Sequence, residues 1–256
     1  MINPDTYIHL AARLDESPSS TRAGTTDKLR ALLPEFRPPL VHLSEEPGVV
    51  SSRFFRAAWL SRLRDDTIFE SQDEASCLYD IVILVRLADS AAVSDVLDHD
   101  AMRELLRILH TFGRSVVITP ARNVSATGGE AAHGALSLIC HRHETPAADR
   151  HTWWNDHTRL PQSILAAQEL LVPIDPATTP LRSIRRAELA PPDARALVTA
   201  LARATTNQQA NAVAAPYRQF MPHLYWEIRH IKNDIKATRR HQTLHGPSSL
   251  GATREH

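Results

Sequence analysis

The run Ile81-Val82-Ile83-Leu84-Val85 is the feature that most restricts the fold of this chain. Four of its five residues are β-branched, which favours an extended backbone. A strand with one face in water alternates apolar and polar residues, whereas a continuous apolar run indicates that both faces are covered. The sequence therefore predicts a buried sheet with further layers packed on its two faces.

Shorter segments predict the elements around this strand. Three more strands are expected at apolar runs, and one helix where apolar residues recur at helical spacing. The helix is expected to end before Gly113, because glycine is common just after the last helical turn. The expected strands are Val116–Ile118, Ala135–Cys140 and Leu170–Val172, and the expected helix is Asp100–Phe112.

Prolines and aromatic spacing govern the expectations for the first third of the chain. A helix is expected to begin after Asp27 and to end at Pro34. A short strand is expected at Leu40–Leu43, followed by an amphipathic helix over Arg53–Leu63. We detect no internal repeat, and the residues Pro120–Gly134 are expected to form a loop.

The order of these elements favours an α/β layered domain, with a small, mostly buried sheet flanked by helices. This core domain is expected to span residues 1–175. Pro176 and Pro180 then mark a linker-like segment, after which apolar residues recur at helical spacing. Residues 176–256 are therefore expected to form an all-helical C-terminal arm with a frayed end.

Composition restricts the class of protein and its compartment. The chain has 29 basic and 29 acidic side chains, so its overall charge gives no attraction to nucleic acid or anionic membranes. Two cysteines are too few for a disulfide framework, which favours a reducing compartment. No apolar run approaches the roughly 18 residues of a membrane span, and no secretory leader is recognisable. We expect a soluble, cytoplasmic protein.

The segment between His133 and His157 concentrates side chains that bind metals or transfer protons. If the strand Ala135–Cys140 continues, His141 and His143 project from the same face. Imidazole nitrogens are common ligands of divalent metals such as zinc, so these two side chains could share one ion. The spacing matches no standard metal motif, and histidines of a solvated loop are the alternative interpretation.

The same segment supplies the other residues of a predicted hydrolase site. Asp149 or His157 would complete the metal's ligands, and Glu144 would act as a general base toward a metal-bound water. Cys140 is a second catalytic candidate, because strand ends in α/β folds carry active-site groups. The alternative for Cys140 is a small apolar residue that ends a core strand.

Two features predict a surface for partners. Trp153 and Trp154 are adjacent and point in different directions, so one can anchor the loop while the other contacts a partner. Apolar residues near the C-terminus recur at steps of four, four, three and four, which predicts an amphipathic helix from Tyr217 or Pro222 to about Arg240. The expected partner-binding residues are Trp154, Arg229, Lys232, Lys236, Arg239 and Arg240.

No complete catalytic signature is present, so the predicted function is a cytoplasmic binding or regulatory protein. It would contact a protein partner, or a second copy of itself, through the basic C-terminal helix. One alternative is a metal-dependent hydrolase that uses residues 133–157. Another is an accessory protein that binds the phosphate backbone of nucleic acid through the same helix.

Overall fold

The described part of the chain forms a closed barrel of eight antiparallel strands. The computed structural model of the protein describes residues 5–14, 22–57, 79–127, 136–142, 165–189 and 224–228. The order around the barrel is β1-β3-β2-β8-β5-β7-β6-β4, and β4 pairs with β1 to close it. The strands are β1 (Thr6–Leu14), β2 (Val49–Ala57), β3 (Ile81–Leu87), β4 (Gly113–Thr127), β5 (Leu136–Arg142), β6 (Leu165–Pro173), β7 (Ser183–Leu189) and β8 (Leu224–Glu227). The helices of the described residues are α1 (Arg22–Glu45), α2 (Ala92–Asp98) and α3 (Asp100–Phe112).

The barrel consists of two halves with the same strand order. The first half is ordered β4-β1-β3-β2, and the second half, β8-β5-β7-β6, repeats that order with strands taken from the second part of the chain. The halves join where β2 pairs with β8 and where β4 pairs with β6. The first half also has helices after β1 and β3, which is the ferredoxin-like arrangement. The structure thus contains an internal repeat that the sequence does not reveal.

Alternation along each strand separates an inner face from an outer face. On β1, Ile8 and Leu10 pack with the helices, whereas Tyr7 and Ala11 face the barrel interior. His9 lies between Tyr7 and Ala11 in this alternation and shares their face. Helices cover the outer face of β1 and interior side chains cover its inner face, so both faces of this strand are buried.

The outer core joins α1 and α3 to the first half of the barrel. Leu32, Phe36, Leu40 and Leu43 form the buried stripe of α1, and they belong to the same cluster as the apolar face of α3. The prediction of a helix over Asp100–Phe112 is confirmed. Its apolar face contains the buried Met102, Leu105 and Leu109 and the partly buried Leu106. No helix among the described residues is long and apolar enough to cross a membrane.

The predicted fold class is wrong. We expected a layered α/β domain with a small sheet and an all-helical arm, but the sheet has eight strands and closes on itself. The buried run at Ile81–Val85 is a strand, as expected, with both faces covered. Its inner face is covered by other side chains of the barrel interior and not by a layer of helices. A continuous apolar run does not distinguish these two cases.

Several local predictions also need correction. Helix α1 continues through Pro34, Pro38 and Pro39 instead of ending at the first proline, so the strand expected at Leu40–Leu43 is the last part of that helix. The helix predicted to begin at Arg53 is strand β2. The strand expected at Val116–Ile118 is confirmed, but it is longer, because β4 extends through part of the predicted loop.

The C-terminal part of the described chain is a strand where a helix was expected. Leu224–Glu227 forms β8, which pairs with β2 on one side and β5 on the other and is therefore part of the barrel wall. Leu224 and Ile228 are four residues apart, a spacing that fits one face of a helix. The same spacing also fits one face of a strand, since four is a multiple of two. The apolar spacing is therefore compatible with a helix or a strand, and the segment is a strand because it pairs with β2 and β5.

Gly113 makes the tightest backbone contact at the junction of α3 and β4. It caps α3 with an extended backbone and not the left-handed one. A Cβ atom there would lie 2.7 Å from the carbonyl oxygen of Leu109 and 3.0 Å from that of Arg13. We expect Gly113→Ala to lower the free energy of unfolding by about 1–3 kcal/mol, because neither backbone atom can move aside easily. Urea unfolding would measure this, with Ser115→Ala at an exposed site on the same strand as control; equal stabilities would contradict it.

Candidate active site

Two histidines meet inside the barrel. His9 on β1 and His141 on β5 are 132 residues apart in the sequence, yet their Nε2 atoms are 3.0 Å apart and hydrogen-bonded. Both side chains are buried, with exposures of 0% and 4%. Since β1 and β5 are the first strands of the two halves, the histidine pair joins equivalent strands of the internal repeat.

Aromatic side chains surround the pair. The ring of His141 contacts Tyr79 edge to face at a centroid distance of 4.8 Å, and Tyr225 at 6.4 Å. The hydroxyl of Tyr225 donates a hydrogen bond to the backbone carbonyl oxygen of Tyr79, which holds the ring of Tyr225 in place. The neighbouring interior residues are apolar, among them Val82, Leu84 and Ile184. The pair therefore lies in an aromatic, water-poor environment.

Burial controls the charge of His9. Removal from water disfavours the imidazolium form and lowers the pKa of His9 from its ordinary value of 6.5 to about 3. His9 is therefore neutral at physiological pH. When both rings are neutral, one Nε2 carries the hydrogen of the shared bond and the other Nε2 accepts it. The two histidines are then opposite tautomers, so the pair contains a proton donor and a proton acceptor at once.

The lowered pKa of His9 links protein stability to pH. Between about pH 6.5 and pH 3 the unfolded chain binds a proton at this residue and the folded chain does not. Stability therefore falls as the pH drops below 6.5, by about 1.4 kcal/mol per unit at most, and is unaffected by this group above it. Between pH 7.5 and pH 5 we expect the wild type to lose about 2 kcal/mol more than His9→Gln. Urea unfolding at both pH values would measure this, and parallel losses would contradict it.

Five charged side chains form a continuous row elsewhere in the barrel interior, and we call this row the charged chain. Arg186 pairs with both Glu169 and Glu188. Nη1 of Arg53 lies 2.5 Å from Oε1 of Glu188. Its Nε and Nη2 donate hydrogen bonds of 3.0 and 2.7 Å to the two carboxylate oxygens of Glu227. The signs alternate along the chain, so each arginine lies between two carboxylates. The order is Glu169, Arg186, Glu188, Arg53 and Glu227.

The charged chain lies toward the end of the barrel where β1 begins. Its first member, Glu169, accepts a hydrogen bond of 2.8 Å from the hydroxyl of Tyr7. Burial, together with the nearby carboxylate, holds the pKa of Tyr7 above its usual range, so the phenol is neutral. On β7, the inward residues change from Glu188 and Arg186 to Ile184, which pairs with His141. The interior thus has a charged region next to a neutral, aromatic one.

The structure describes two of the predicted catalytic and metal-binding residues, Cys140 and His141. Cys140 alternates with His141 on β5, so its side chain lies on the outer face of the barrel and away from the histidine pair. Burial raises the pKa of its thiol to about 12, which keeps it protonated and argues against a nucleophile. His141 does belong to the site, and its Nε2 is hydrogen-bonded to Nε2 of His9.

The remaining predicted site residues lie outside the described part of the chain. No group of three or more His, Cys, Asp and Glu side chains that could hold a metal ion occurs within the described ranges. Sequence reasoning missed His9, Tyr7 and the charged chain, because buried charges on a strand resemble a solvated surface. The predicted residues not described are Glu144, His143, Asp149, His157, Trp154, Arg229, Lys232, Lys236, Arg239 and Arg240.

Comparisons with known proteins give a fold but no family. No model of a known protein family matches the sequence, and no curated protein matches it. Among solved structures, an anthrone oxidase-like protein matches with a TM-score of 0.52 and 10% identity, over 88% of this chain and 92% of that one. A protein from Lactobacillus acidophilus, provisionally described as a monooxygenase, matches with a TM-score of 0.41 and 9% identity, over 88% and 94%. A dimeric ferredoxin-like protein of unknown function from Thermobifida fusca matches 46% of this chain and 91% of its own, with a TM-score of 0.29 and 14% identity.

These findings correct the predicted function. The regulatory hypothesis depended on a C-terminal contact helix, but the beginning of that helix is strand β8 of the barrel. The nucleic-acid hypothesis depended on the same helix. The metal-dependent hydrolase, with its possible zinc site, depended on His141 as a ligand within a loop-borne cluster, whereas His141 is buried against His9. The fold is instead one shared with an anthrone oxidase-like protein.

Proposed function

We propose that the protein is an oxidase of aromatic compounds with an acidic C–H bond, of the anthrone type. The observation that carries the proposal is the hydrogen bond between His141 and the buried, neutral His9. A neutral imidazole that is hydrogen-bonded to a second imidazole in an aromatic enclosure suits proton transfer better than structural support. The name of the anthrone oxidase-like protein that shares the fold supports the substrate class.

The first step would be transfer of a proton from the substrate to the histidine pair. The methylene carbon of an anthrone lies between two rings, and loss of its proton leaves an aromatic phenolate. We assign His9 as the acceptor, because burial keeps its imidazole neutral and its Nδ1 has no side-chain hydrogen-bond partner among the described residues. The C–H bond breaks as an N–H bond forms at Nδ1, and the proton on Nε2 can pass to His141.

The enclosure would raise the effectiveness of this weak base. Without a substrate beside it, the imidazolium form of His9 is unfavourable, as its pKa of about 3 indicates. A phenolate formed beside it in the same step balances the charge, and the attraction is strong where water is excluded. The substrate's electron pair then passes to dioxygen, which is the co-substrate. In the overall reaction one anthrone and one dioxygen give one anthraquinone and one water.

Oxygen consumption with anthrone tests the proposal. The purified protein is mixed with anthrone in air-saturated buffer, while an oxygen electrode follows the consumption of dioxygen and mass spectrometry follows the formation of anthraquinone. The expected result is one dioxygen consumed for each quinone formed, at a rate proportional to protein concentration. A rate equal to that of buffer with heat-denatured protein would reject this function. Cytoplasmic location remains part of the proposal and is measured by cell fractionation.

A further inference from the structure

Three buried polar side chains lie together on the inner faces of β5 and β7. Ser137 pairs directly with Glu188 across the two strands, and Arg186 is two residues before Glu188 on the same face. Residues directly opposite in an antiparallel pair have Cβ atoms about 5 Å apart. The three side chains are thus neighbours, with exposures of 0% for Ser137, 1% for Glu188 and 4% for Arg186.

Each of the three keeps one polar atom without a hydrogen-bond partner among the described residues. Oε1 of Glu188 is occupied by Arg186 and Arg53, but its Oε2 is not. Nε of Arg186 and Oγ of Ser137 also have no hydrogen-bond partner among the described residues. A buried polar atom without a partner is destabilising, by roughly 1–3 kcal/mol in typical cases. Three of them on neighbouring positions indicate a place that receives a polar group of a ligand.

The chemistry of the three atoms selects the group. Glu188 offers an acceptor, Arg186 offers an N–H donor, and the hydroxyl of Ser137 can do either. A ligand hydroxyl matches this set, because it donates one hydrogen bond and accepts others.

The charge balance points the same way. Arg53 and Arg186 already pair with carboxylates, and Glu188 keeps a carboxylate oxygen, Oε2, without a partner among the described residues. A ligand carboxylate would be repelled there, whereas a neutral hydroxyl would not.

We propose that Ser137, Arg186 and Glu188 form a binding site for the hydroxyl group of a neutral, fused-ring phenol. Ser137 and His141 are both inward residues of β5 and lie about 13 Å apart along the strand, at roughly 3.3 Å per residue. One elongated aromatic ligand can therefore contact the hydroxyl site and the histidine pair together. The inference rests on the proposed function only where it identifies this ligand with the substrate.

Binding of three matched probes tests the site without any turnover. The probes are 2-naphthol, naphthalene and 2-naphthoate, titrated into the intact protein and followed by ligand-observed NMR. We expect 2-naphthol to bind at least about tenfold more tightly than either of the others, since one or two hydrogen bonds to charged partners are gained. Equal affinities for 2-naphthol and naphthalene would mean a buried water only, and would overturn the proposal.

Substitutions at two serines locate the effect. Ser137→Ala is expected to weaken 2-naphthol about fivefold and to leave naphthalene unchanged. Ser137→Cys keeps the volume and provides a second reading if the alanine variant folds poorly. Ser183→Ala is the matched control, because Ser183 is also buried and without a partner among the described residues but alternates to the outer face of β7. Equal losses in the Ser137 and Ser183 variants would contradict the assignment.

The outcomes separate this inference from the proposed function. If 2-naphthol is preferred and Ser137→Ala removes the preference, the site stands even when anthrone is not oxidised. If anthrone is oxidised but 2-naphthol has no advantage, the site is wrong and the oxidase stands.

Discussion

His9→Gln is expected to lower the turnover number for anthrone oxidation by a factor of about 10² to 10⁴, the usual contribution of a positioned general base. Glutamine can still hydrogen-bond to His141 across the 3.0 Å contact, but it cannot accept a proton from carbon. The Michaelis constant should change much less than the turnover number, since the variant removes a group that acts in the transition state. Steady-state oxygen consumption would provide both constants.

The control for this prediction is the same substitution at an exposed histidine. His110 lies on the solvent-facing side of α3, so His110→Gln should retain the wild-type rate. His141→Gln should resemble His9→Gln, and the double variant should be no worse than either single one, because the two rings act as a unit. A wild-type rate in His9→Gln would remove the histidine pair from the reaction.

Arg186→Met is expected to lower the free energy of unfolding by about 3–5 kcal/mol, the largest stability change that we predict. The reason is that Arg186 pairs with both Glu169 and Glu188, and its loss leaves buried carboxylates without one of their counter-charges. Their own repulsion then adds to the desolvation that folding imposes on each. Urea unfolding at neutral pH would measure the change.

An exposed ion pair provides the matched control. Arg107 pairs with Glu104 through two hydrogen bonds on the surface of α3. Arg107→Met deletes the same kind of contact where water and salt screen it, so no measurable change is expected. Similar stabilities of the two methionine variants would show that burial of the charged chain contributes little.

Some of the fold follows from local sequence, and the limit is physical. The helix Asp100–Phe112 and the strands near Ile81, Val116 and Leu136 are confirmed, because helical spacing marks the first and short apolar runs mark the others. Strand β7 was missed, since Arg185, Arg186 and Glu188 resemble a solvated segment although all three are buried. Arg186 and Glu188 pair with each other and also with Glu169 and Arg53 on other strands. A charge is compatible with burial only through such partners, and the local sequence does not show the distant ones.

The site was predictable only in part for the same reason. His141 was selected from a local cluster, whereas His9 lies alone in an apolar strand and offers no motif. The contact between them depends on the closure of the barrel, which brings β1 and β5 to face each other across its interior. Sequence reasoning therefore identified one half of the pair and assigned it the wrong neighbours.

Hydrogen exchange at the substrate's acidic carbon tests the central claim most directly. Anthrone is incubated with the protein in D2O without oxygen, so that proton removal is separated from the oxidation that follows, and mass spectrometry measures deuterium at the methylene carbon. The account predicts exchange well above the buffer rate with the wild type and with His110→Gln, and exchange at the buffer rate with His9→Gln. Equal exchange with the wild type and His9→Gln, or none above buffer with either, would contradict the histidine pair as the base.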